Sequence, residues 1–361
     1  MPRAWAQIRE KVRLPYIIHL IGTNGKGTTG RFLASALLHA GHSVGHYTSP
    51  HILRFNERLW LNGSDADDEA LQRAFERVMQ WLDKETADAL SYFEFTTLMA
   101  AALFEPCDYV VMEAGLGGEH DATAVFEKQL TLVTPIDLDH QAFLGDTVEA
   151  IATTKLNAMA KTAILGLQPH AEVYAIAADI ARRKGATLLR CEEAIDENGI
   201  MTLQKVTAAL QLPAYLRDNL MLAIAALTRL GAAFDAGSFS APLFGRLSHI
   251  APNVWLDVGH NVLAARAVSR ALGERKVVLV YNSYGDKDYP AILEALRGNI
   301  ERVELIAVNN ERAAPQEALR AALDALKIPY GTFREIDARH DYLVFGSFSV
   351  AEAFIRQTGL K

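Results

Sequence analysis

The chain alternates short apolar runs with longer segments in which apolar residues recur every three or four positions. Residues 16–21 are almost wholly apolar, the pattern of a strand buried on both faces. Leu33, Ala36, Leu37 and Ala40 then fall at helical spacing, and Gly41 supplies a stop. The same criteria predict strands at 43–48, 108–112, 130–136, 162–167 and 186–191. An amphipathic helix is expected over 64–82, with Leu71, Phe75, Val78, Met79 and Leu82 on one face and Asp65, Asp67, Asp68 and Glu69 favouring its N-terminus. Ser91 and Glu94 have capping-box spacing and open a further helix, so Glu94 reads as a cap. Asp146 and Glu149 read as the cap of a helix running to about 159, and two more helices are expected at 171–184 and 217–230. Residues 48–63 read as a loop, and Asn198-Gly199 suggests a turn or hairpin.

From Gly231 the pattern changes to small residues, glycines and two prolines, Pro242 and Pro252, the most linker-like stretch of the chain. A domain boundary is expected near Ser240. Beyond it the alternation restarts, with strands at 254–257, 276–281, 303–308 and 342–345 and helices at 262–272, 289–297, 315–326 and 349–357. The fold class is α/β, with two domains, 1–240 and 241–361, each built on a mostly parallel sheet.

Between the first strand and its helix lie Gly22, Asn24, Gly25, Lys26, Gly27 and Thr28. Glycines let backbone N–H groups close around phosphate oxygens, and the helix N-terminus adds a positive dipole end. Lys26 can reach outer phosphates and Thr28 can offer a hydroxyl to Mg²⁺. Gly27 separates the lysine from the threonine, so this is not the common G-x-x-x-x-G-K-[ST] pattern. Strand, turn, lysine and hydroxyl together favour phosphate binding over a structural turn.

Glu113 follows an apolar strand and precedes a glycine-rich segment. It reads as a Mg²⁺ ligand beside the phosphate loop, against the alternative of a solvated strand-end glutamate. His140 is a lone histidine just past a strand and does not stand out by itself. Lys155 interrupts the apolar stripe of Val148, Ile151 and Met159. It is either a snorkelling lysine or one aimed inward at a site.

At 361 residues, half of them hydrophobic, the chain can bury one large core or two ordinary ones. A net charge of −7 with no basic cluster argues against nucleic acid. Cys107 and Cys191 lie far apart without metal spacing, which suits a reducing compartment. No apolar run is long enough to span a membrane, and residues 1–15 lack the apolar stretch of a signal peptide, so a cytoplasmic protein is expected.

GTNGKGTT, YTSPHILRFNER, YFEF, EAGLGGEHDAT, LDHQAFLGDTVEAIATTK, FGRL, LDVGHN and DKD occur in this order. In these motifs the chain resembles folylpolyglutamate synthase/dihydrofolate synthase, a family of the Mur-type ATP-dependent amide ligases, and the resemblance covers almost the whole chain. It implies a Mur ligase central-domain-like phosphate-loop domain followed by a smaller Rossmann-like α/β domain. It implies ligation of L-glutamate to dihydropteroate or to the glutamate tail of a folate, through an acyl phosphate made with ATP. ATP is then a co-substrate and Mg²⁺ a cofactor, a monovalent cation being a further candidate, with small-molecule partners and a monomeric chain. Carried over residue by residue, Gly22 and Asn24 to Thr28 would hold the ATP phosphates, with Lys26 catalytic. Ser49, Glu113 and His140 would be Mg²⁺ ligands, joined by Lys155 as a carbamate. Ser91, Tyr92 and Asp121 would line a pterin pocket. Asn219, Arg246 and Asp257 would contact the nucleotide, and His260, in the family's DxAHNP motif, would be catalytic.

Several positions depart from the family pattern. Gly259 stands for alanine and Val262 for proline in that motif, Glu119 and His120 for Arg and Leu, and Ala124 for Asn. The phosphate loop also comes early, at Gly22. A ligase of UDP-linked precursors is the nearest competing reading, but 21 residues before Gly22 cannot form a UDP-binding domain. A nucleotide-binding regulatory module is the other, and it would not need Glu113, His140 and Lys155 together.

Overall fold

Eight strands make the first sheet: β1 (Tyr16–Ile21), β2 (Val44–Tyr47), β3 (Leu59–Leu61), β4 (Ser64–Asp65), β5 (Tyr109–Glu113), β6 (Leu130–Val133), β7 (Thr162–Leu165) and β8 (Thr187–Arg190). The structure is a computed structural model that describes residues 1–240 and 243–360. It divides into two compact units, Met1–Pro242 and Leu243–Lys361. The boundary expected after Ser240 adjoins residues 241 and 242, which lie outside the described residues.

The first sheet has the order β4-β3-β2-β5-β1-β6-β7-β8. β2, β5, β1, β6, β7 and β8 are parallel, and β3 and β4 are antiparallel additions at one edge. The chain leaves β1 for β2, returns to β5, then crosses to β6 on the other flank of β1. Strand order therefore reverses about β1, and the crevice beyond the carboxyl ends of such strands is where open α/β sheets bind ligands.

The pleat of β1 decides what covers each face. Ile18 and Leu20 join a core with Phe32, Leu33 and Leu37 of the Lys26–His39 helix and Leu220, Ile224 and Leu227 of the Ala214–Leu230 helix. Ile17 packs on the other face with Tyr47, Leu98 and Met112, under the Tyr92–Phe104 helix. Ile21 joins Val133, Val148 and Ile151 near the strand ends. Among the described residues no helix is long and apolar enough to cross a membrane.

Several elements differ from expectation. Residues 48–63 are not one loop: Leu59–Leu61 pairs with β2, and Asn62 and Gly63, both at positive φ, turn it into β4. The following helix is therefore shorter, Asp68–Trp81, capped by Asp67. Its buried residues are Ala74 and Val78, whereas Phe75 and Met79 are exposed. Asn198-Gly199 forms no hairpin. Asp196 accepts a hydrogen bond from the Gly199 amide (2.7 Å) and caps the Glu197–Ala209 helix. The helix carrying Lys155, Val148–Leu156, is capped by Thr147 rather than Asp146. The Ser91–Glu94 capping box forms as expected, and the Met1 amine also bonds Glu94 at 2.7 Å.

The second unit has six strands: β9 (Ser248–Ala251), β10 (Val254–Leu256), β11 (Val277–Tyr281), β12 (Ile300–Leu305), β13 (Tyr330–Thr332) and β14 (Tyr342–Phe345), in the order β13-β12-β11-β14-β10-β9. β9 lies in the stretch that reads as linker. It is an antiparallel edge strand on a sheet that is otherwise parallel, so it carries little buried apolar signal.

The turn after β1 tolerates only glycine. Gly22 sits at φ +142°, and a Cβ there would lie 2.0 Å from Thr134 Oγ1 and 2.8 Å from the Thr134 carbonyl oxygen. Gly22→Ala is expected to lower the unfolding free energy by about 2 kcal/mol or more, through combined overpacking and backbone strain. Urea titration of both proteins measures it, and an unchanged midpoint would contradict the packing described.

Candidate active site

The carboxyl ends of β1, β2, β5 and β6 gather the chemically active groups. After Ile21 the backbone turns through Gly22, and the Thr23 and Asn24 amides bond to the Pro135 carbonyl at 2.8 and 3.3 Å. Thr23 Oγ1 donates to the Asp137 carbonyl at 3.0 Å, which ties this loop to the one after β6. Gly25 is the N-cap of the Lys26–His39 helix at φ 90°, and it leaves no room for a side chain against the Asn219 carboxamide. Asn219, a position the family resemblance singled out, is thereby placed against this glycine turn from the Ala214–Leu230 helix.

The first amides of any helix lack partners within it, and here they open on the loop. The Thr28 hydroxyl is buried and has no hydrogen-bond partner. An unsatisfied buried hydroxyl at a helix N-terminus costs about 1–3 kcal/mol unless a ligand engages it. That orphan oxygen fits a phosphate-bound divalent cation, which takes oxygen ligands and keeps several waters.

Lys26 folds back over the loop. Its Nζ donates to the Gly22 carbonyl at 3.1 Å and the Thr23 carbonyl at 3.3 Å, and lies 3.7 Å from Glu113 Oε1. Glu113, at the end of β5, is buried, not a solvated strand end. Its other oxygen accepts from the Thr48 hydroxyl and from the Ser49 amide at 3.4 Å. Ser49, Glu113 and Lys26 are thus brought together. Thr48 is a member that the sequence reading passed over. Its signal was a hydroxyl residue directly after a strand, beside Ser49.

Lys155 is only 4% exposed, which rules out snorkelling. Its Nζ donates to the Gly22 carbonyl at 3.0 Å, so two amines converge on one oxygen. Burial, and next the charge of Lys26, push the Lys155 pKa down to about 7, while Asp139 and Asp121 pull the other way. His140 has φ 54° and precedes the one-turn Gln141–Leu144 helix. Its amide bonds Asp139 Oδ1 at 2.9 Å. Asp139 is buried and was also missed, although it is the acidic neighbour of His140. Among the described residues no three His, Cys, Asp or Glu side chains gather into a metal cluster. A cation here would therefore rely on hydroxyl, phosphate and water oxygens beside Glu113.

The residues expected at a pterin pocket have distinct surroundings. Ser91 Oγ is engaged in its helix cap, and Tyr92 is largely exposed. The Arg58 guanidinium lies 5.4 Å from the Tyr92 ring centre, and its Nε bonds His51 Nδ1 at 2.9 Å. Asp121 is buried, with Oδ2 accepting from the Leu116 amide at 2.8 Å and Oδ1 from the Thr123 amide at 2.9 Å.

In the second unit Asp257 directly follows β10, accepting from the Leu247 amide (2.9 Å) and the Gly259 amide (2.7 Å). Arg246 stacks on Phe348 at 5.6 Å, and His260 Nδ1 lies 3.2 Å from the Val258 carbonyl. The departures at 259 and 262 have physical reasons. A Cβ on Gly259 would lie 2.6 Å from Phe345 and 2.7 Å from Ala264. Asn261 caps the Val262–Leu272 helix, accepting from the Ala264 amide, so the first helical position needs no proline.

No protein-family model matches the chain. A stretch of 144 residues is 48% identical to the dihydrofolate synthase/folylpolyglutamate synthase of Haemophilus influenzae, covering 39% of this chain and 32% of that protein. The protein of the same name from Escherichia coli is 34% identical over 329 residues, covering 84% of this chain and 76% of that one. Among solved structures, a bifunctional folylpolyglutamate synthase/dihydrofolate synthase with Mn, AMPPNP and L-glutamate bound superposes with a TM-score of 0.81 at 27% identity, covering 98% of this chain and 92% of that one.

The buried amine has a consequence for stability. The folded protein releases the Lys155 proton near pH 7, while an unfolded lysine keeps it to about pH 10.4. Between these values the unfolded state binds more protons, so stability rises with pH. In CO₂-free buffer, the wild type should gain about 2 kcal/mol relative to Lys155→Met from pH 7 to pH 9. Denaturant titrations at both pH values test this, and parallel pH profiles would refute it.

Proposed function

The chain belongs to the dihydrofolate synthase/folylpolyglutamate synthase family, and from that premise we infer that it uses ATP and Mg²⁺ to join L-glutamate to dihydropteroate, to the glutamate tail of a folate, or to both. The observation that carries the site is the convergence of Lys26, Glu113 and Lys155 around Gly22, beside a helix N-terminus with an orphan Thr28 hydroxyl. A carboxylate is a poor electrophile because its leaving group would be an oxide. Transfer of the terminal phosphoryl group of ATP to the substrate carboxylate releases ADP and gives an acyl phosphate. The glutamate amine attacks the acyl carbon and loses a proton, phosphate departs, and an amide remains. The protein's work is positioning and charge neutralisation.

In this reading Gly22, Asn24, Gly25, Gly27 and the first helical amides cradle the phosphates. Lys26 leaves its loop carbonyls for the outer phosphate oxygens, and Asn219 braces the turn. Thr28, Ser49 and Glu113 would hold a Mg²⁺ that neutralises phosphate charge. Glu113, His140 and the carbamate of Lys155 would share a second ion. Lys155 suits this because burial leaves a neutral amine that CO₂ can attack, whereas an ammonium would repel the metal. Ser91, Tyr92 and Asp121 are proposed for the pterin end. Arg246, Asp257 and His260 are proposed for the nucleotide and for catalysis on the family motif. A cytoplasmic monomer completes the proposal, which the free, buried Cys107 and Cys191 suit.

Mass spectrometry of products from dihydropteroate and from tetrahydrofolate, each with ATP and glutamate, tests the function. The expected product is heavier by one glutamyl residue. ATP hydrolysis without such a product would defeat the reading. Lys26→Ala should lower kcat by at least ~10²-fold in a folded protein, the scale of losing one preorganised charge stabiliser; near-normal turnover would remove the phosphate-loop assignment. For Lys155, stripping CO₂ should lower activity and bicarbonate should restore it. Insensitivity to CO₂, with most of the rate retained in Lys155→Ala, would reject the carbamate.

A further inference from the structure

His19 lies in the middle of β1, 1% exposed, between Met112 of β5 and Thr131 of β6. Its strand neighbours on the same face, Ile17 and Ile21, are apolar core residues. A leucine would suit such a place, and the histidine there leaves its Nδ1 buried without a partner. Leaving that atom unpartnered is unfavourable. The other ring nitrogen is engaged: Nε2 lies 2.8 Å from Thr123 Oγ1. The Thr123 hydroxyl is 2.6 Å from Asp121 Oδ1. A carboxylate only accepts, so the single hydroxyl hydrogen goes to Asp121, and His19 must donate its Nε2–H to Thr123. Burial, with the charge of Lys128 second, lowers the His19 pKa to about 3, so the ring is neutral around neutral pH.

At its far end this chain holds a loop. Asp121 accepts from the Leu116 amide at 2.8 Å, and its own amide donates to the Gly118 carbonyl at 3.2 Å. Gly118 in turn is backed so closely against the Lys155 main chain that a Cβ would lie 2.6 Å from the Lys155 carbonyl oxygen.

We propose that His19 is a positioning residue, which through Thr123 fixes the Asp121 carboxylate and the glycine loop at 115–118 in the pose that receives the pterin end of the substrate. The proposal rests on the reading of Asp121 as a pterin contact. His19 touches no substrate. Its role is to deny Thr123 any other hydrogen-bonding arrangement, so that Asp121 presents one fixed geometry.

Steady-state kinetics on His19→Leu, Thr123→Val, Thr123→Ser, the His19→Leu/Thr123→Val double variant and Asp121→Asn test it, with KM measured separately for dihydropteroate and for ATP. His19→Leu and Thr123→Val should each raise KM for dihydropteroate about tenfold, with KM for ATP within twofold of wild type. Thr123→Ser keeps the hydroxyl and should stay near wild type. The double variant should be no worse than either single one, because the two residues act in series. In ¹⁵N-histidine spectra of the whole protein, His19 should be the neutral Nε2–H tautomer, with its resonances displaced in Thr123→Val. Three results would overturn the relay: a proton on Nδ1, unchanged dihydropteroate KM in both single variants while Asp121→Asn is impaired, or equal rises in both KM values that Thr123→Ser does not spare. If Asp121→Asn itself binds dihydropteroate normally, the pterin contact falls and the proposal with it.

Discussion

One carbonyl oxygen, that of Gly22, accepts hydrogen bonds from both Lys26 and Lys155. Gly22 can point it there only because the residue has no side chain and is wedged against Thr134, at a backbone angle that favours glycine. The oxygen neutralises part of the repulsion between two amines held in a largely dry crevice. It cannot neutralise it all: burial first, and then the charge of Lys26, keep the Lys155 pKa low. A loop that carries Lys26 next to a helix N-terminus, whose first amides lack partners within the helix, is poised for a polyanion.

The sheet explains why these groups meet. β1 is flanked by β5 and β6, so its carboxyl end stands beside Glu113 on one side and the loop carrying Thr134, Asp137 and Asp139 on the other. The Val148–Leu156 helix follows that loop and lays Val148, Ile151 and Lys155 along one buried face. Two of them fill apolar core. The third, one turn on, arrives at Gly22. Each catalytic candidate in the first unit is thus anchored by an element whose packing is apolar and stiff, while its polar tip projects past the strand ends.

The resemblance to a family and the physics of the individual residues answer different questions here. The family motif has alanine and proline where this chain has Gly259 and Val262. The structure shows that the turn at 259 has no space for a methyl group and that Asn261 caps the helix by itself. The substitutions fit this chain's own packing and say nothing against Asp257, whose carboxylate still organises the turn by accepting from two backbone amides.

Much of the parallel scaffold was legible in the sequence because strands buried on both faces are written as continuous apolar runs, and the long helices as regular stripes. The glycine loop, Glu113 and Lys155 could be picked out for the same local reason: each breaks or follows such a run. The short strands β3, β4, β9 and β13 were not legible. All are only two to four residues long, and β4, β9 and β13, at the sheet edges, bury little, so pairing rather than burial defines those three. Asn198-Gly199 carried a turn signal, but the Asp196 cap and the helix that follows outweighed it. Thr48 and His19 were passed over because no spacing along the chain points to their partners, and Asp139 although it adjoins His140. Thr48 and His19 act through partners on other strands or loops, 65 residues away for Thr48 and Glu113 and 104 for His19 and Thr123. A hydroxyl, a carboxylate or an imidazole means little until the sheet sets its partner within three ångströms, and only the tertiary structure does that.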